Sequence, residues 1–257
     1  MRIDAVLTQV FPSPRKALFS LPFSMLVLFA SLSALRYNYF HAELTLVSNY
    51  HFGNPSLTAR FNTVVTFVCA CGLPTAFLCG VVVNKLRRKY TQDIEKLLEG
   101  KVSRERNEAI LWNNALPSAI SMYICATFNL LLSCLILVPH EAAYYVNFVY
   151  FLLMRGFLFT TDMITFFSMI PVAHFGTVYG IGTSIVGVFS CLQCALLKLS
   201  PTNADICTLV VAALTFISPS VILTMALKTR RNISADSEDD GRFSKDSSQK
   251  NELNNVL

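Results

Sequence analysis

The chain has 257 residues, of which 53% are hydrophobic and only 14% charged, whereas soluble domains carry about 25% charged residues. Together with a mean hydropathy of +0.50, this excludes a soluble globular protein and, over most of the length, a disordered one. The net charge of +5 does not argue for a nucleic-acid partner. Its Lys and Arg fall in short clusters beside apolar runs, where membrane topology accounts for them.

A bilayer core about 30 Å thick takes roughly 20 helical residues to cross. Six apolar runs of that order are bounded by charge, Pro or Asn: 17–35 and beyond, 61–83, 115–138, 144–167, 175–197 and 206–227. They are continuous, without the in-and-out alternation of a membrane barrel, so an all-α membrane protein with six transmembrane helices is expected. The expected organisation is a cytoplasmic segment 1–16, a bundle 17–227 with a cytoplasmic loop 84–114, and a disordered tail 228–257. From Ala109 to Leu227 there are five charged residues: Glu141, Arg155, Asp162, Lys198 and Asp205.

Orientation follows from the basic residues. With both termini cytoplasmic, fourteen Lys and Arg lie inside before the distal tail is counted, against Arg36, Arg60 and Lys198 outside. The first run follows basic residues but is too long for a signal peptide and has no convincing cleavage site.

The segment 84–114 alternates charge, which suits a connector or a helix lying near the headgroups. The tail holds twelve charged residues among thirty. Its Ser234 to Ser237 run, followed by Glu238, Asp239 and Asp240, is a candidate for phosphorylation. The eight cysteines lie in or at the edge of spans, so small apolar packing is expected of them, not a disulfide framework or a zinc site. No metal site, cofactor site or nucleophile with its base stands out, so the chain does not read as an enzyme.

Polar groups within spans carry the most information, because an ionised side chain at the bilayer centre costs about 2.5–3.5 kcal/mol on the insertion scale. Arg155 and Asp162 lie seven apart, on one helical face and about 10 Å apart along the axis, so each needs a partner elsewhere. Arg36, Tyr37, Asn38, His41 and Glu43 follow the first apolar run. Either the helix ends at Leu35, with Arg36 as an interfacial anchor, or it continues to about Val47 and buries them, Arg36 and Glu43 then sharing a face. Gly176 and Gly180 form a small-xxx-small pair expected to let helices approach, and Gln193 is expected to bond to a neighbouring helix.

Gly80-Val-Val-Val-Asn84-Lys85-Leu86-Arg87-Arg88-Lys89 resembles the G-x-x-x-D-R-x-G-R-R loop of the major facilitator superfamily, with Asn84 in place of the acidic residue and Arg87 in place of the second glycine. Met154-Arg155-Gly-Phe-Leu-Phe-Thr-Thr-Asp162, then Pro171, His174-Phe175-Gly176, Gly180 and Gln193, is similar to the tenth and eleventh spans of the solute carrier 43 family of large-neutral-amino-acid and equilibrative nucleobase transporters. Leu35-Arg36-Tyr37 is similar to a step in that family's seventh span. Asp162 departs from the pattern, since the family tends to have a neutral amide there.

The resemblance, over about 12–227, implies the C-terminal six-helix half of a major facilitator fold, with the N-terminal half missing or supplied by a second membrane chain. It implies a facilitative transporter of small polar organic solutes at the plasma membrane, amino acids first and nucleobases as the alternative. Arg36 and Arg155 are expected to line the cavity, with Tyr37, Asn38 and Asp162 as lesser candidates. The rival reading is a six-span scaffold or regulatory half without a transport path. A channel is disfavoured, because no filter-like loop or carboxylate ring is present.

Overall fold

The computed structural model describes residues 2–99 and 103–232. Its described residues are helical apart from short connections: α1 (Arg2–Val10), α2 (Pro14–Leu18), α3 (Leu21–Phe52), α4 (Pro55–Ala70), α5 (Gly72–Glu99), α6 (Arg104–Leu135), α7 (Glu141–Met169), α8 (Val172–Ser190), α9 (Gln193–Leu196), α10 (Pro201–Leu214) and α11 (217–232).

Local chemistry sets the ends. Ser20 caps α3 by accepting from the Phe23 N–H, and Gly53, in the left-handed region at φ 58°, closes it. Asn54 then accepts from the N–H groups of Ser56 and Leu57 to open α4, with Pro55 in the first turn. Ser103 caps α6 by accepting from the Arg106 N–H. Pro219 cannot donate to the Thr215 carbonyl, and the chain turns at 215–216 between α10 and α11.

Four helical stretches are long and apolar enough to cross a membrane: Arg104–Leu135, Glu141–Met169, Val172–Leu196 and Pro201–Asn232. A fifth is a broken pair, Pro55–Ala70 and Gly72–Gln92, bent by 48°. Among the described residues, the expected six spans therefore reduce to four apolar helical stretches, or five with the bent pair taken as one span. α3 matches them in length at 32 residues, roughly 48 Å at the helical rise. Arg36, Asn38, His41 and Glu43 in its second half keep it from standing out by apolarity alone.

Three expectations are corrected. Segment 84–114, named as a loop between spans, takes the helical of its two readings, since α5 continues to Glu99 and α6 begins at Arg104. Helix-forming Leu, Lys, Arg and Glu fill that stretch, and no Gly or Pro lies between Val81 and Glu99 to stop it. Gly176 and Gly180 do not seat a neighbouring helix, because a Cβ at either would meet nothing within 4 Å. Gln193 opens the short α9, and among the described residues its side chain makes no hydrogen bond to another helix. The tail beyond residue 232, with the Ser234 to Ser237 run, lies outside the described residues.

Alternate helices run in opposite directions, so the bundle has two ends. At the end bearing α1, the Asp4 carboxylate accepts from the Val172 N–H at 2.9 Å, capping α8, and Asn107 donates to Gln9 at 3.1 Å. Asn114 donates to the Ser168 carbonyl at 2.6 Å. At the far end the rings of Phe61 and Tyr144 stack at 5.0 Å and those of Phe40 and Phe151 at 4.5 Å, joining α3, α4 and α7. Asp4→Ala leaves the first α8 N–H without its acceptor and should cost about 1 kcal/mol. Asp4→Asn, which keeps an acceptor, should hold most of that stability in thermal unfolding.

α7 packs most closely on α6 and α5, and α3 packs on α8, α7 and α10. The α6–α7 seam is far closer than the α3–α10 seam.

Candidate functional site at the break in the second span

The break between α4 and α5 follows from Gly72-Leu73-Pro74. Pro74 has no N–H for the Ala70 carbonyl, and its ring crowds the preceding turn, so the helix bends where Gly72 permits it. A break of this kind strands backbone acceptors in an apolar setting. Arg155 of α7 meets one of them: its Nη1 donates to the Cys69 carbonyl at 2.6 Å. The guanidinium lies over Gly72, whose hypothetical Cβ would stand 3.6 Å from Arg155 Cζ. Immediately beside it α7 touches α5 through Gly156, where a Cβ would come within 2.9 Å of the Thr75 carbonyl carbon.

A cleft of about 350 Å³ opens here, lined by Cys69, Gly72, Leu73, Arg155, Phe159 and Thr160 among others. Its volume lies at the lower end of the range for small-molecule sites. Tyr37 of α3 approaches from the side, stacked on Phe151 at 5.3 Å and edge-on to Phe159 at 5.6 Å. His41, one turn further, places Nε2 3.8 Å from Cys69 Sγ. The cleft thus combines a guanidinium, an aromatic wall and a broken backbone, and a guanidinium is a planar fork suited to carboxylate.

The five candidate residues are not brought together. Tyr37 and Arg155 share this region. Asn38 is half-buried, and among the described residues its side chain makes no hydrogen bond. Asp162 is half-buried two turns along α7, with Oδ1 buried and without a partner among the described residues. It forms no ion pair with Arg155.

Arg36 does not line the cleft, and the expectation that it faces a cavity is corrected. It is fully buried, with Nη1 2.6 Å from Glu43 Oε1 and Nε donating to Ser133 Oγ of α6 at 2.8 Å. The reason is rotational: adjacent helical residues point about 100° apart, so Arg36 and Tyr37 cannot share a face. Glu43, two turns on, supplies the counter-charge that lets Arg36 turn inward.

Below the cleft, Ser121 of α6 and Thr161 of α7 join hydroxyls at 2.6 Å, and Cys79 of α5 places its sulfur 3.5 Å from each. These groups tie α5, α6 and α7 at mid-depth. A larger cavity, about 500 Å³, lies at the α1 end beside Asp4, Arg87, Glu95 and Asn114. It is open between surface helices, and no broken backbone contributes to it.

The break and Gly156 are not among the residues that the sequence marks, and His41 is marked there only as a polar residue after the first apolar run. The break was visible as Gly72-Leu73-Pro74, but the run stays apolar through it. Comparison of the chain with protein-family models, with curated proteins and with solved structures finds no match.

Proposed function

We propose that the chain is one half of a transporter of the major facilitator type, which moves small polar organic solutes, amino acids foremost, by facilitated diffusion. In this reading α3 is the sixth span, both termini are cytoplasmic, and the membrane is the plasma membrane. The observation that carries it is the bent second span whose stranded Cys69 carbonyl is held by Arg155 at the edge of an open cleft. Interrupted helices at membrane depth are tolerated where they are covered by protein or line a cavity, and transporters bind their substrates at such places.

Alternating access needs a second bundle across the cleft, an N-terminal half of the same protein or another membrane chain. The exposed Leu73, Phe77 and Phe159 border the side on which it would sit. Arg155 would receive the carboxylate of an amino acid, and Tyr37 and Phe159 the apolar part of its side chain.

The test is uptake of radiolabelled neutral amino acids and, separately, purine bases into cells expressing the complete gene. Arg155→Lys keeps the charge but loses the fork, and should lower amino acid uptake on the order of tenfold or more at unchanged surface expression. No uptake of either class with protein at the surface defeats the proposal. Uptake unaffected by Arg155→Lys defeats the assignment of the site.

A further inference from the structure

The far end of the bundle buries more negative charge than its own contacts neutralise. Arg36 and Glu43 of α3 are 0% exposed, and Asp205, in the first turns of α10, is 3% exposed. Asp205 lies within electrostatic range of both. The other titratable groups around it are Tyr39 on α3, Tyr144 on α7 and Cys207 on α10, with His51 bonded to the Tyr144 hydroxyl at 3.0 Å. From α6, Ser133 accepts from Arg36, and Asn129 lies one turn before it. Two carboxylates and one guanidinium are thus buried where α10 packs on α3 and α6.

The same place has unfilled polar valences. Glu43 uses Oε1 on Arg36 and leaves Oε2 without a partner, and Arg36 Nη2 and Asp205 Oδ1 also lack one. Asn129, fully buried one turn before Ser133, satisfies neither its Oδ1 nor its Nδ2, although its backbone carbonyl accepts from Ser133. Buried groups of this kind are nearly always satisfied, by protein or by something bound. Three of these orphaned atoms are carboxylate or amide oxygens, and the buried acids outnumber the buried guanidinium by one.

We propose that the Arg36–Glu43–Asp205 nest binds one monovalent cation, a proton or a sodium ion, which balances the second carboxylate and fills these oxygen valences. Sodium suits oxygen donors, and a proton on one carboxylate turns an orphaned acceptor into a donor for its neighbour. Neither Arg36, Glu43 nor Asp205 lines the cleft. It stands on burial and charge alone and does not depend on the transport reading.

The test uses the purified chain in detergent at constant ionic strength, with choline as the inert cation. Its thermal unfolding midpoint is followed as sodium replaces choline at fixed pH and, without sodium, as pH falls from weakly alkaline to weakly acidic. A rise of several degrees with sodium identifies that ion, and a rise on acidification alone identifies the proton. Asp205→Asn removes the surplus charge, so it should match the loaded wild type without any cation and lose the response. If Asp205→Asn does not fold, sodium-22 binding to the wild type and its competition by protons replace it. A midpoint flat in both titrations, a variant that responds like the wild type, or absence of bound sodium-22 together with a flat pH titration overturns the proposal. Each outcome is read without any uptake measurement, so failure here and failure of transport are distinguishable.

Discussion

Arg36→Met should unfold the protein in conditions where the wild type is stable, with a loss of about 3–5 kcal/mol, the usual cost of removing one partner from a buried ion pair. The guanidinium holds Glu43 Oε1 at 2.6 Å and Ser133 Oγ at 2.8 Å, and its carbon lies 5.7 Å from the Phe40 ring centroid. Methionine replaces the packing on Phe40 and neither polar contact. What remains is Glu43, fully buried, with no positive charge opposite. Replacing both partners, Arg36→Met with Glu43→Leu, should recover most of the loss, because the double change removes the stranded charge along with its counter-ion. Denaturant unfolding in mixed micelles of the two single variants and the double variant measures the coupling. Equal and additive losses would mean that the pair does not act as a unit.

Gly156→Val should separate α5 from α7. A Cβ at this position stands 2.6 Å from Thr75 Cβ and 2.9 Å from the Thr75 carbonyl carbon. The second obstacle is backbone, so no rotamer change relieves it. Overpacking of this kind costs about 3 kcal/mol or more, and Gly156→Ala should cost somewhat less. The control is Gly180→Ala, where a Cβ meets nothing within 4 Å. That change should be neutral or gain up to about 1 kcal/mol from helix propensity. Expression and thermal midpoints of the three variants check the contrast. Destabilisation by Gly180→Ala equal to that by Gly156→Ala would place the close helix contact on the wrong glycine.

The same contrast shows what could be read from the chain. Apolar runs located the membrane helices, because hydropathy over twenty residues needs no tertiary information. Arg155 and Asp162 stood out because charges are rare in such runs. Their surroundings did not follow, since whether Arg155 meets Asp162, a solute or a stranded carbonyl depends on a bend in another helix. Arg36 and Tyr37 are both cavity candidates by sequence, but adjacent residues on a helix serve different faces. The two outcomes for α3 were both on view, and what decides between them is the Arg36–Glu43 pair, which makes continuing the helix cheaper than ending it. Glycine spacing indicated Gly176 and Gly180, whereas the close approach falls on Gly156, which no spacing rule marks. For the segment 84–114, alternating charge left a connector and a helix near the headgroups both open, and the run of good helix formers from Val81 to Glu99, with no Gly or Pro among them, favours the helix.

The engaged state of Arg155 carries a mechanical corollary. In the proposed reading, a carboxylate entering the cleft would find a guanidinium already committed to the Cys69 carbonyl. To capture the whole fork the anion must pull it off that oxygen, leaving the elbow of the second span without its tether. Anion capture and the angle of that elbow are then one exchange of partners, so a ligand that holds Arg155 also frees two rigid levers to swing.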